Sequence, residues 1–273
     1  DGSVPGSFPS SNVGGSKSET PTIFLAGDST VKTYTDNQWI AGWGQYLSSF
    51  LNSSVIVRNC AQGGRSTRSF INEGRLFDTK ETGYNYNFNE NEGRSIEEDI
   101  KKGDFLFIQF GHNDDDTKAY NTMYNRMVPL GTPDANGIYP VTPGTKSPTT
   151  YLPEAFKSDY PGDVSNALAE IAKYGQNYYA YDCGGTYKWF LKQYIDFARS
   201  KEAIPVLVTP VARVSFNADG TLKSGPGLHG EDFAYVKAVR QLAEEENCLL
   251  IDLFDCTKTL IETATQDYAD FLM

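Results

Sequence analysis

The sequence is poor in the residues that build metal and redox centres. Its 273 residues include two histidines and four cysteines, and no two cysteines have the Cys-x-x-Cys spacing typical of zinc sites. No apolar run approaches the roughly 20 residues needed to cross a membrane. Positive charge is also scarce, since 24 Lys and Arg against 35 Asp and Glu give a net charge of −11. This charge disfavours nucleic acid and anionic membranes as partners and favours a neutral or weakly charged substrate.

The first 21 residues, DGSVPGSFPSSNVGGSKSETP, are rich in Gly, Ser and Pro and contain few apolar residues. This composition predicts a flexible linker or a processed N-terminus, followed by one domain over residues 22–273. A linker of this kind suggests a piece of a longer secreted protein with other modules, so we expect an extracellular protein. A disulfide that involves Cys183 stays open, whereas Cys60 and Cys248 lie in apolar runs typical of buried thiols.

Five short apolar runs alternate with segments whose apolar residues recur every three or four positions. Their continuous apolarity is typical of parallel strands covered on both faces. The alternation predicts a doubly wound α/β sandwich with a five-stranded parallel sheet, in the flavodoxin-like order 2-1-3-4-5. A long insert at about 114–185 interrupts the alternation, either as surface decoration or as a substrate-binding lid. The runs are TIFLA at 22–26, SVIVRN at 54–59, DFLFIQF at 104–110, IPVLVTP at 204–210 and CLLIDL at 248–253. The predicted helices carry Trp43, Tyr46, Leu47, Phe50 and Leu51 in the first, Trp189, Phe190, Tyr194 and Phe197 in the second, and Phe233, Val236, Val239, Leu242 and Ala243 in the third.

Polar, glycine-containing loops follow the first three strands: AGDST at 26–30, CAQGGRSTRS at 60–69 and GHNDDD at 111–116. In this strand order the three loops meet at one crevice, where ligands bind in open parallel sheets. Ser29 at a strand-to-helix turn, the backbone of Gly64 and the amide of Asn113 then supply the parts of an acyl-transfer site with its oxyanion hole.

Each loop also has a simpler interpretation. Asp28 and the two residues after it suit a helix N-cap, and Gly63-Gly64 suits a tight turn. His112 suits a structural hydrogen bond. The acidic run 114–116 hints at a calcium site, but a solvated acidic loop is the expected reading.

The three motifs GDST at 27–30, GGRSTRS at 63–69 and GHND at 111–114 resemble the first three blocks of the SGNH (GDSL-type) hydrolase superfamily. The GDST spelling and GWGQYL at 42–47 are similar to rhamnogalacturonan acetylesterase-like carbohydrate esterases. The resemblance implies the SGNH three-layer sandwich and removal of acetyl groups from plant cell-wall polysaccharide, without cofactor or metal. It also implies Ser29 as nucleophile and an oxyanion hole formed by the Ser29 and Gly64 N–H groups and the Asn113 side chain. The neighbours in these blocks are Asp28, Arg65 and His112.

One part of the family pattern is missing. The base and its orienting acid lie near the C-terminus of that family as Asp-x-x-His, but no histidine follows His229 in this sequence. We therefore expect a truncated fragment without the C-terminal part, weak or inactive by itself. Two alternatives stay open: His229 acts as the base or contacts substrate, or the chain is catalytically dead.

Aromatic residues outside the three loops suggest walls for a sugar groove, although ordinary packing explains them equally well. Rival functions are a non-catalytic polysaccharide-binding module and a GDSL-type esterase acting on other acyl esters. The candidate walls are the stretch 84–94 and the insert residues Tyr178, Tyr179 and Tyr181.

Overall fold

The computed structural model describes residues 20–35, 40–77, 95–115, 126, 128–144, 185–225 and 229–264. Its centre is one five-stranded sheet in which every pairing is parallel and the order is β2-β1-β3-β4-β5. The predicted fold class and strand order are thus confirmed. The strands are β1 Thr22–Gly27, β2 Ile56–Asn59, β3 Phe105–Gln109, β4 Ile204–Val208 and β5 Leu249–Ile251.

Three helices cover one face of the sheet. They are α1 Thr67–Asn72, α2 Tyr187–Ser200 and α3 Ala234–Glu245. Alternate residues of the strands, such as Phe24 and Leu106, pack against their apolar sides in the largest core cluster. Because side chains alternate between the two faces along a strand, the remaining strand residues face a second layer.

The second layer contains less helical structure than the sequence predicts. The expected helix at 43–51 is instead two short 3₁₀ helices, Trp43–Gln45 and Leu47–Phe50. They pack with Ile23 and Leu25 of β1. At the β5 edge of the sheet Leu249 keeps 54% of its surface exposed, so within the described part of the chain β5 is not covered on both faces as predicted.

The last described helix, α4 Leu253–Thr263, follows β5 directly. It begins at Leu253 because Asp252 caps it and accepts a hydrogen bond from the Asp255 N–H. Arg240 of α3 holds the same carboxylate at 2.8 Å. None of the helices in the described part of the chain is long and apolar enough to span a membrane.

Several expectations fall on residues outside the described ranges. These include most of the N-terminal segment, most of the insert at 114–185, the stretch 84–94, Cys183 and the three insert tyrosines. Of the described cysteines, Cys60 and Cys248 are partly buried free thiols and Cys256 is an exposed one.

Candidate active site

Ser29 lies on a turn at the carboxyl end of β1. The preceding side chain, Asp28, is fully buried, and its Oδ1 accepts hydrogen bonds from Thr30 N and Oγ1, both at 2.8 Å. Over the described residues 28–35 the chain forms one turn, in which Val31 N and Lys32 N donate to the Asp28 carbonyl, and no helix follows, so the expected helix start after Ser29 is wrong. The Asp28 side chain therefore stabilises a local turn through Thr30 instead of capping a helix. An oxyanion beside Ser29 must depend on individual donors and not on the dipole of a helix at this position.

Buried polar side chains connect this turn to β3 by hydrogen bonds. Gln109, at the end of β3, donates from Nε2 to Thr30 Oγ1 at 2.6 Å and accepts a hydrogen bond from Trp43 Nε1. Gln109 is 1% exposed, and a buried amide of this kind must find hydrogen-bond partners. The sequence did not indicate that Gln109 and Trp43 support the Ser29 turn. The available signal was a glutamine inside the otherwise apolar run DFLFIQF.

Two glycines let the 42–44 segment pack directly on the backbone that follows the turn. A Cβ at Gly42 would lie 2.4 Å from the Lys32 carbonyl oxygen, and one at Gly44 would lie 2.5 Å from that of Val31. Both distances are far below van der Waals contact, so only glycine fits. This close approach allows Trp43 N to donate to Thr30 O at 2.9 Å. The GWG motif thus holds the Ser29 turn in place.

The loop after β2 lies directly against Ser29. A Cβ at Gly63 would be 3.7 Å from the Ser29 Cβ, and Gly64 has a φ of +80° that favours glycine. Two arginines brace this loop: Arg65 Nη1 donates to the Gly63 carbonyl at 2.8 Å, and Arg126 Nη1 donates to the Gly64 carbonyl at 3.1 Å. Because both carbonyls are held by guanidinium groups, the peptide orientation of the loop is fixed.

The loop after β3 is tied to the loop after β2. Asn113 Nδ2 donates to the Arg65 carbonyl at 3.0 Å. The next residue, Asp114, accepts hydrogen bonds at Oδ1 from Thr67 N, at 2.8 Å, and from Thr67 Oγ1. The structure therefore brings Ser29, Gly64 and Asn113 to the same end of the sheet.

The first two residues of the acidic run after Asn113 are buried. Asp114 and Asp115 are 0% and 1% exposed, which overturns the expectation of a solvated loop at these two positions, and Asp116 lies outside the described residues. Burial raises the pKa of Asp114 to about 8, even though the Thr67 hydrogen bonds oppose the shift. Within the described residues, no group of three or more His, Cys, Asp or Glu side chains is arranged to hold a metal ion.

Three fully buried tyrosines support these loops from behind, through hydroxyl contacts with backbone carbonyls. Tyr187 and Tyr194 of α2 donate to the carbonyls of Phe110 and Thr67, each at 2.7 Å. The hydroxyl of Tyr235 in α3 lies 2.7 Å from the Val128 carbonyl and 3.1 Å from that of Asp114. The sequence placed Tyr194 in a predicted helix but gave no sign that any of the three tyrosines positions the site.

The two histidines pack against each other beside Asp28. Their rings meet edge to face with centroids 4.4 Å apart, and His112 Nδ1 lies 3.6 Å from Asp28 Oδ2. Burial would raise the pKa of Asp28, but the nearby charge of His112 and the hydrogen bonds from Thr30 lower it.

His229 Nε2 lies 2.9 Å from the Val211 carbonyl. A carbonyl only accepts, so Nε2 carries a proton and donates it to this contact. His112 and His229 thus join the site as one packed pair.

Comparison with known proteins decides the family. The profile of the GDSL-like lipase/acylhydrolase family matches residues 23–267. The chain belongs to this family. The SGNH (GDSL-type) resemblance expected from the three motifs is thereby confirmed, and the chain is a member of an esterase family.

Two curated relatives come from Bacillus subtilis strain 168. YesY, named a probable rhamnogalacturonan acetylesterase, is 32% identical over 233 residues, which cover 85% of this chain and 70% of YesY. The rhamnogalacturonan acetylesterase RhgT is 30% identical over 241 residues, which cover 88% of this chain and 68% of RhgT.

A solved structure shares the fold. The crystal structure of protein YXIM from Bacillus subtilis superposes with a TM-score of 0.54 at 23% identity and covers 93% of this chain. The match includes 49% of that protein, so this chain spans about half of its length. The likeness supports the SGNH-type sandwich as the fold of this GDSL-family chain.

Proposed function

We propose that this GDSL-family chain is a carbohydrate acetylesterase that removes acetyl groups from plant polysaccharide of the rhamnogalacturonan or pectin type. One observation carries the proposal: Gly63 lies against Ser29, and the left-handed Gly64 follows it next to the loop of Asn113. That arrangement suits acyl transfer at Ser29. The substrate part rests on the two relatives named as rhamnogalacturonan acetylesterases.

In the proposed reaction Ser29 Oγ attacks the acetyl carbonyl carbon and gives its proton to a base. The oxyanion that forms receives hydrogen bonds from the Ser29 and Gly64 N–H groups and from Asn113 Nδ2. Asn113 has two amide hydrogens, so one can serve the oxyanion while the other stays on the Arg65 carbonyl. Loss of the sugar hydroxyl leaves an acetyl-serine ester, and water then releases acetate.

The proposal assigns the base to an Asp-x-x-His segment, and the 273 residues contain no such sequence. His229 is the rival base, but its Nε2 is committed to the Val211 carbonyl. Removing a member of a catalytic triad typically costs several orders of magnitude in rate. We therefore expect slow turnover by the chain alone.

The same proposal places the enzyme outside the cell, alone or joined to other modules. A cell-wall polysaccharide is too large to enter a cell, and the Gly, Ser and Pro-rich segment 1–21 suits a linker between modules.

The substrate class is tested by acyl-chain length. The chain carrying an added Asp-x-x-His segment should release acetate from acetylated rhamnogalacturonan and hydrolyse 4-nitrophenyl acetate at least about tenfold faster than a long-acyl 4-nitrophenyl ester. In the same protein Ser29→Ala should remove both activities, whereas Ser49→Ala, at an exposed position on the 47–50 helix, should keep them.

A preference for the long-acyl ester would favour a lipid-directed GDSL esterase. Binding of acetylated oligosaccharide without any release of acetate would favour the non-catalytic binding module.

A further inference from the structure

Arg65 is bonded to two of the three groups that the proposed reaction uses as oxyanion donors. Its Nη1 donates to the Gly63 carbonyl at 2.8 Å. That carbonyl and the Gly64 N–H belong to one trans peptide group, in which C=O and N–H point in opposite directions. The guanidinium therefore keeps the Gly64 N–H pointing away from Arg65. The backbone carbonyl of Arg65 accepts the hydrogen bond from Asn113 Nδ2 at 3.0 Å.

The peptide that Arg65 holds lies beside the proposed nucleophile. A Cβ at Gly63 would be 3.7 Å from the Ser29 Cβ, and Gly64 has a φ of +80°. Two successive glycines can rotate the peptide between them with little steric resistance, because neither residue carries a Cβ. Another contact must therefore fix the direction of the Gly64 N–H, and the guanidinium of Arg65 provides it.

A buried carboxylate holds Arg65 in turn. Arg65 Nε lies 3.0 Å from Glu73 Oε1 and 2.9 Å from Glu73 Oε2. Arg75 Nε donates to the same Oε2 at 2.5 Å, and the side chains of Arg75 and Glu73 are only 5% and 7% exposed. Charge-assisted hydrogen bonds of this kind are strong and directional. Glu73 thus limits the positions that the Arg65 side chain can take.

Arg65 and Glu73 lie at the two ends of α1. Arg65 immediately precedes the N-cap residue Ser66, and Glu73 is the C-cap residue. The helix is held against the loop after β3 by the hydrogen bond from Thr67 N to Asp114 Oδ1 at 2.8 Å. The Arg65–Glu73 pair therefore connects the position of α1 to the direction of the peptide that Arg65 holds.

We propose that Arg65, held by Glu73, is a positioning residue for the oxyanion hole of the esterase reaction. Its guanidinium directs the Gly64 N–H, and its carbonyl directs the Asn113 amide. The inference rests on the proposed function of the same site. Oxyanion donors accelerate a reaction when they are aligned before the charge develops, and Arg65 and Glu73 supply that alignment without acting on the substrate themselves.

The first test measures hydrolysis of 4-nitrophenyl acetate by the chain carrying the added Asp-x-x-His segment. One oxyanion donor is typically worth about 100-fold or more in kcat, so Arg65→Met should lower kcat about 100-fold and Glu73→Gln about tenfold. KM should stay within about twofold, because the oxyanion contacts form only in the transition state. Arg65→Lys should recover part of kcat, because its ammonium group can donate to the Gly63 carbonyl although it lacks the guanidinium fork.

Glu246→Gln is the matched control. Glu246 Oε2 pairs with Arg199 Nη1 at 3.0 Å, and Glu246 precedes β5, at the opposite end of the parallel strands from Ser29. Weakening this arginine–glutamate pair should leave kcat and KM unchanged. Urea unfolding of every variant checks that it is folded under the conditions of the assay.

The second test observes the positioning without activity. Crystal structures of the parent chain and of Arg65→Met should show the Gly63–Gly64 peptide rotated, or in two orientations, in the variant only, while α1 keeps its place. An unchanged peptide would overturn the proposal. A displaced α1, with KM raised as much as kcat is lowered, would also overturn it, since that is the result of a merely structural role.

Failure of the esterase function gives a different result. Hydrolysis that Ser29→Ala leaves unchanged would refute the esterase function and this proposal with it. Ser29-dependent hydrolysis that continues at the parent rate in Arg65→Met and Glu73→Gln would refute this proposal alone.

Discussion

At the scale of single residues, the site is built from polar groups that the fold keeps away from water. Gln109 lies among apolar strand residues because its amide joins Trp43 to Thr30, and Asp114 is buried because its carboxyl holds Thr67. The sequence allowed prediction of Ser29, Gly64 and Asn113 as neighbours, because each follows a recognisable strand. It did not allow prediction of these pairings, since Gln109 and Thr30 are 79 positions apart and nothing local signals the contact.

The buried carboxyl of Asp114 predicts a specific dependence of stability on pH. Its pKa in the folded chain is about 8, against 3.8 for an ordinary aspartate. Between these values the unfolded chain loses the proton and the folded chain keeps it, so rising pH reduces the free energy of unfolding. The slope approaches about 1.4 kcal/mol per pH unit for one proton, and it ends above the folded pKa.

Asp114→Asn removes this titration. Urea unfolding at several values between pH 5 and 8 should show the variant gaining stability relative to the parent chain as pH rises. Asp219→Asn is the control, because Asp219 is exposed and the hydrogen bonds of Thr221 lower its pKa. Parallel stability curves for Asp114→Asn and the parent would contradict the account.

At the scale of elements, helices behind the sheet set the positions of loops at its edge. The periodic apolar residues at 189–197 and 233–243 allowed prediction of α2 and α3, and the structure places these helices at Tyr187–Ser200 and Ala234–Glu245. The same periodicity at 43–51 gave a wrong helix. There Gly42 and Gly44 press the segment onto the 31–32 backbone, and that tertiary contact prevails over the local pattern.

The tyrosine supports predict a stability effect. Tyr194→Phe removes the buried hydroxyl that donates to the Thr67 carbonyl and so ties α2 to the first residue of α1. A loss of about 1 kcal/mol in the free energy of unfolding, the usual net value of one hydrogen bond, is expected in urea titrations. Tyr46→Phe is the matched control, since Tyr46 is 53% exposed, and it should change stability by less than about 0.5 kcal/mol. An equal effect of the two substitutions would show that the buried hydroxyl contributes nothing particular.

At the scale of the whole molecule, the topology follows from the sequence and the finer layering does not. Five continuous apolar runs separated by long crossovers permit few arrangements of a parallel sheet, and the predicted order 2-1-3-4-5 is the observed one. The expectation of strands covered on both faces is wrong for β5. An apolar run indicates residues that are favourable to bury, but it does not identify the part of the chain that covers them.

The central claim is that Ser29 is the nucleophile and that an Asp-x-x-His segment supplies its base. The most direct measurement is the rate of 4-nitrophenyl acetate hydrolysis by four proteins: the 273-residue chain with Ser29 or with Ser29→Ala, each with and without an added Asp-x-x-His segment. Members of a triad act as a unit, so the segment should raise the rate by about a thousandfold or more only when Ser29 is present. Rapid hydrolysis by the chain alone that Ser29→Ala abolishes would contradict the assignment of the base and favour His229, and a rate that never depends on Ser29 would contradict the whole account.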